Sequence, residues 1–135
     1  GELPSAYEFH SGAVKNSMRD LSDFVDACFN HPSIIFWVPL NESWGVSAIV
    51  ADRRQQDYAR AMYYTLRALD GTRLISTNDG WEQVNETDIC AIHDYAYFPQ
   101  NADKYDRLDG VFTGERQRFA WFTQSVAVTR VSRLF

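Results

Sequence analysis

Cysteine is nearly missing from the chain: Cys28 and Cys90 are the only two. Both lie in apolar surroundings, too few for a disulfide framework or a thiolate metal site, and are expected to be buried free thiols. Histidine is scarce as well. His10, His31 and His93 show no helical ligand spacing of the His-Glu-x-x-His kind, so no zinc site is expected. No apolar run approaches the length of a bilayer span and no charged-then-apolar leader is visible. A membrane partner is therefore not expected, and a cytoplasmic location is the default. Positive charge is in short supply: 13 Lys and Arg against 18 Asp and Glu leave a net charge of -5, which argues against nucleic acid as a partner. Arginines collect only between Arg116 and Arg133, where a solvated tail is the expectation. There is no internal repeat and no low-complexity segment.

What the chain has is apolar and aromatic bulk. At 135 residues and 45% hydrophobic it can build one packed core but not two ordinary domains. Its organising stretch is Ile34 to Trp44, introduced by the turn Asn30-His31-Pro32-Ser33. The apolar run predicts a strand buried on both faces, the kind found in parallel sheets covered by helices. It stops abruptly at Asn41 and Glu42. In α/β folds the reactive groups sit at the carboxyl ends of the strands, which makes this pair the first candidate for chemistry.

The rest of the chain keeps a βα rhythm. Met18, Leu21, Val25, Cys28 and Phe29 recur at helical spacing from about Asn16. A second helix is predicted from about Val50 to Leu69, with Tyr58, Ala61, Met62, Thr65, Leu66 and Leu69 inward and Arg53, Arg54, Gln55, Gln56 and Arg67 in water. Asp70-Gly71 should cap it, and Arg73 to Thr77 should form the next strand of a βαβ unit. That strand ends in Asn78-Asp79-Gly80-Trp81-Glu82, and a further short strand, Asp88 to Ile92, ends in His93-Asp94-Tyr95. Beyond Phe98 the sequence turns polar, with helical turns expected near Lys104 to Leu108 and Phe119 to Phe122 and a last apolar run at Val126 to Val128.

Turn, strand, Asn-Glu pair and trailing Trp-Gly together resemble the fourth barrel strand of family 2 glycoside hydrolases, the β-galactosidases and β-glucuronidases. Arg73 to Glu82 is similar to that family's fifth strand and loop, Asp88 to Tyr95 to its sixth, and Gly1 to Tyr7 to the loop after its third. The resemblance implies an α/β fold, a partial (β/α)8 TIM barrel of roughly strands four to seven, matched well over 1–98 and weakly over 99–135. It implies hydrolysis of terminal β-linked sugars by a retaining, two-carboxylate mechanism, with a carbohydrate substrate and no cofactor. Glu42 would be the general acid/base and Asn41 would bind the sugar hydroxyl next to the anomeric carbon. Tyr95 would bond the nucleophile, His93 would reach the sugar, and Trp44 and Trp81 would stack on it. The open barrel edges would need the remaining strands or another copy of the chain to cover them.

Glycosidic cleavage needs one carboxyl group protonated near neutrality, and apolar walls such as Trp37 and Trp44 would favour that form of Glu42. Gln124 to Thr129 resembles the family's seventh strand, after which Glu, Phe and Gly are expected; this chain has Arg130, Val131 and Ser132. A guanidinium cannot attack an anomeric carbon, so the chain as written is expected to lack turnover. Two other classes remain open: a non-catalytic carbohydrate-binding relative, and a metal-dependent α/β hydrolase using His93, Asp94 and Asp79.

Overall fold

A computed structural model describes residues 1–80, 82–89, 91 and 93. The expectations for Trp81, Cys90, Tyr95, Arg130 and the 99–135 region fall outside the described residues.

Helix α1, Ser11–Cys28, starts well before the expected Asn16, because the ring Nδ1 of His10 caps it by accepting from the Ala13 N–H at 3.2 Å. Ser17, Leu21 and Val25, one turn apart, form its buried line. The turn after it is closed by Ile34 N–H donating to His31 O at 3.1 Å. Helix α2, Arg53–Leu69, is capped by Asp52, whose side chain accepts from the Arg54 N–H at 2.8 Å. It stops where expected, yet through the extended backbone of Asp70 and not through a left-handed glycine. Its inward face carries Gln55, Tyr58, Ala59, Met62, Tyr63 and Leu66. Ala61 and Leu69 therefore face outward, contrary to expectation. Gln55 is inside because its carbonyl accepts from the Ala48 N–H at 2.8 Å, which satisfies a loop donor under the helix.

Between the helices runs one strand in two pieces, β1 (Phe36–Trp37) and β2 (Leu40–Asn41), beside β3 (Leu74–Ile75) and β4 (Asn78–Asp79). Both ladders are parallel and share one register, from Phe36 opposite Leu74 to Asn41 opposite Asp79. The gap falls at Val38-Pro39, where proline has no N–H for the ladder. On the other side Glu2 bridges Val38 in parallel, with Leu3 N–H donating to Val38 O at 2.9 Å. The Gly1 to Tyr7 stretch thus carries one isolated parallel bridge, at Glu2, and no named strand. Beyond β3, Asp88 N–H donates to Ile75 O at 2.8 Å, although the described residues of the expected 88–92 strand form no ladder.

Trp37, Leu21, Ile49, Met62, Leu66 and Ile75 are fully buried between sheet and helices, each contributing about 1.5–3 kcal/mol by leaving water. The expectation of burial on both faces fails at the lower end of the strand, where Ile35 is 73% exposed. Cys28 is a free thiol, only half-buried. Among the described residues no helix is long and apolar enough to cross a membrane.

At the amino ends of β1 and β3 sits one buried carboxylate, Asp70. Its Oδ2 accepts from the Trp37 indole N–H at 2.9 Å and pairs with Arg73 Nη1 at 2.7 Å. Its Oδ1 accepts from the Thr72 hydroxyl at 2.6 Å and the Thr72 N–H at 2.9 Å. Burial pushes the Asp70 carboxyl up, but the hydrogen bonds from Thr72, Arg73 and Trp37 outweigh it and hold the group well below the usual carboxylate range. Arg73 also donates to Ile34 O and Phe29 O, each at 2.8 Å, and so ties the entry to β1 to the entry to β3.

Candidate active site

At the opposite, carboxyl ends of the same strands the backbone does something costly. Glu42 and Ser43 follow β2 directly, with φ of 48° and 59°. Trp44 N–H closes the turn on Asn41 O at 2.9 Å. Two positive φ values at the centre of a four-residue turn match type I′, which favours Gly, Asn and Asp; here they fall on Glu and Ser, at ~1–3 kcal/mol each.

The neighbouring strand end holds this turn in place. Glu42 N–H donates to Asp79 O at 2.6 Å. The buried Asn78 side chain accepts from the Ser43 N–H at 3.0 Å and donates to the Ser43 hydroxyl at 3.0 Å. That hydroxyl in turn donates to Glu82 at 2.5 Å. On the far side Gly45, at φ 77°, has the Ala6 carbonyl where a side chain would begin, 2.6 Å from an ideal Cβ. Only glycine fits there.

So fixed, Glu42 meets two other groups. Its Oε1 lies 2.6 Å from His93 Nδ1, and His93 Nε2 lies 3.0 Å from Asp79 Oδ2. The three side chains are 19%, 24% and 27% exposed for Glu42, His93 and Asp79, sheltered yet open to a ligand. Asp79 is braced by the Ser76 hydroxyl, which donates to Oδ1 at 3.0 Å. The His93 imidazole is pushed above its ordinary range, chiefly by the hydrogen bond to Glu42; burial pulls it down, and Asp79 adds to the rise.

Such an array can move a proton between an imidazole and a carboxylate, within reach of anything bound at the strand ends. A cation has less to hold. Both His93 nitrogens already face carboxylates, and among the described residues no group of three His, Cys, Asp or Glu has the geometry to hold a metal ion.

The family model of glycosyl hydrolases family 2, TIM barrel domain, matches residues 10–119. The chain belongs to glycosyl hydrolase family 2. No curated protein and no solved structure matches it significantly. A family 2 TIM-barrel domain is a glycoside hydrolase domain with an α/β fold, and in such barrels the chemistry sits at the carboxyl ends of the strands. Glu42 and Asp79 occupy those ends in this family 2 chain, and His93 lies against both.

Of the residues singled out in the sequence, Asn41 and Glu42 end β2 as expected. His93 is brought to Glu42 across a separation of 51 residues. Trp44 is 50% exposed and pairs edge to face with Tyr7, ring centroids 5.6 Å apart, so it is no core residue and its ring is open to a ligand. Trp37 is misplaced by the expectation. It lies five residues before Glu42, about 16 Å of extended strand, and serves Asp70 instead. The sequence grouped Asp79 with His93 only as a metal-dependent alternative and not as a hydrogen-bond partner; its place at the second strand end, opposite Asn41, was the available signal.

Proposed function

We propose that the chain carries the acid/base half of a retaining β-glycosidase site, with Glu42 as the proton donor to the leaving group. The observation that carries this is the placement of Glu42: a half-buried carboxyl on a strained turn at the carboxyl end of β2, held by β4 and bonded to a titratable ring. Asn41 binds the sugar hydroxyl beside the anomeric carbon, and Trp44 offers its face to the CH side of a pyranose. The substrate is a terminal β-linked sugar. Trp81 and Tyr95 complete the substrate contacts in this proposal.

Retaining hydrolysis also requires a second carboxylate as nucleophile, roughly 5–5.5 Å from the first. By the resemblance of Gln124 to Thr129 to the family's seventh strand, that carboxylate would stand at position 130, where this chain has Arg130. The chain as written is therefore a sugar-binding site without turnover. The experiment combines the chain with a barrel complement and assays aryl β-glycosides, as written and with Arg130→Glu, Val131→Phe, Ser132→Gly and Arg133→Gly. Activity is expected only in the restored form. Turnover by the unaltered chain would overturn the assignment of the nucleophile slot. In the restored form Glu42→Gln should slow substrates with poor leaving groups by about 10²–10⁴ and those with acidic leaving groups least. An equal loss across the series would remove Glu42 from the acid role.

A further inference from the structure

The contact between Glu42 and His93 poses a problem for an acid catalyst. Each ring nitrogen faces a carboxylate oxygen, at 2.6 Å and 3.0 Å. A neutral imidazole has one N–H. If both carboxyl groups were ionised, its remaining lone pair would point at a negative oxygen. Two carboxylates flanking one ring therefore require either an imidazolium or a protonated carboxyl group. Asp79 already accepts from the Ser76 hydroxyl on its other oxygen, and of the two ring contacts the one to Glu42 is the shorter. The extra proton thus belongs to the short contact, on Nδ1 or on Oε1.

We propose that His93, oriented by Asp79, is a positioning residue that stores and returns the proton of Glu42. In the resting state the proton is on Nδ1, and Glu42 is a carboxylate. When a sugar displaces water from the site, the Nδ1–H bond breaks and the Oε1–H bond forms, leaving a neutral ring whose Nε2–H still donates to Asp79 and a neutral carboxylic acid. Two opposite charges cancel, a step that desolvation favours. In the restored barrel Glu42 then gives the proton to the glycosidic oxygen, which leaves as an alcohol with the electron pair of the broken C–O bond while the carboxylate introduced at position 130 bonds to the anomeric carbon. The water that completes the reaction gives one proton back to Glu42, and the ring can take it up again. An arginine in the same place could hold Glu42 but could never release a proton to it. The charged groups facing the ring from the described residues are Glu42, at the end of β2, and Asp79, at the end of β4; Glu82 stands one link further away, on Ser43. The raised proton affinity of His93 agrees with a resting imidazolium.

The proposal rests on Glu42 being the acid, and its test does not need turnover. With ¹⁵N-labelled histidine in the 135-residue chain, His10 and His31 serve as internal references for His93. Both His93 nitrogens should show the protonated shift at pH 7, and their titration should coincide with that of the Glu42 side-chain ¹³C signal in one coupled step. Glu42→Gln should bring the His93 midpoint back toward about 6.5. Diethyl pyrocarbonate, which attacks only neutral imidazole, gives the same answer at low protein concentration by mass spectrometry. Modification of His93 at pH 7 should be at least tenfold slower than that of His10 and His31, and Glu42→Gln should erase the difference. A His93 that is neutral at pH 7, or that titrates independently of Glu42, overturns the proposal. In the restored barrel, His93→Gln should shift the pH–rate profile and slow poor leaving groups more than good ones. A uniform loss would leave His93 a structural bridge while the acid role of Glu42 stood.

Discussion

Two carboxylate clusters cap the two ends of one strand pair, and they are built on opposite principles. At the amino ends, Asp70 is buried and receives only fixed donors: an indole, a guanidinium, a hydroxyl and a backbone amide. None of these gives up its proton near neutrality. At the carboxyl ends, Glu42 is partly exposed, sits on a left-handed turn, and shares its key contact with a ring that titrates. The first cluster stores stability and the second, in our proposal, stores a movable proton, as expected of the bottom and top faces of a barrel.

The sharpest way to break this contrast is to remove each carboxylate in turn. Asp70→Ala should cost about 3–5 kcal/mol, because it strands Arg73 and the Trp37 N–H, whereas Glu42→Gln should cost under about 1 kcal/mol. Denaturant melts of both variants check this; equal losses would mean the upper cluster is also structural. Next comes the turn itself. Gly45→Ala should destabilise by about 1–3 kcal/mol through its positive φ and the Ala6 carbonyl, and the same melts would report it.

Acid and alkali should then separate the clusters. Asp70 has a depressed folded value, so its contribution is complete above about pH 4 and is lost as pH falls further, toward that value. His93 has a raised folded value, so its contribution is complete below about pH 6.5 and is lost as pH rises through the folded value. Stability measured against pH should lose its acid slope in Asp70→Asn and its smaller alkaline slope in His93→Gln. The exchange of the two slopes between the variants would refute the assignment.

Much of the frame was legible from the sequence. The run from Ile34 to Asn41, the end of α2 at Leu69 and the strand near Ile75 follow from apolar period and turn residues, and so does the position of Glu42 at a strand end. The start of α1 was not, because a histidine is an uncommon N-cap and Gly12 reads as loop. Apolar identity also overstated burial at Ile35, since a side chain cannot announce whether anything covers it. The Glu42, His93 and Asp79 cluster was only half visible: strand-end residues can be found one at a time, but their mutual distances are set by the register and by a turn that Glu and Ser do not advertise.

Pro39 gives this pair of ends one more property, a mechanical one. By interrupting the ladder between the rungs at Trp37 and Leu40, it makes two short tiles out of what would be a single plank. The lower tile is riveted by Asp70 and Arg73; the upper one carries the reactive turn. Amide exchange should accordingly be slow at Ile75 and faster at Asn41 and Asp79, with the upper tile opening while the lower stays shut. A ligand that presses on Glu42 then meets a tile whose ladder is separate from the lower one, with Leu40 as its anchor in the core.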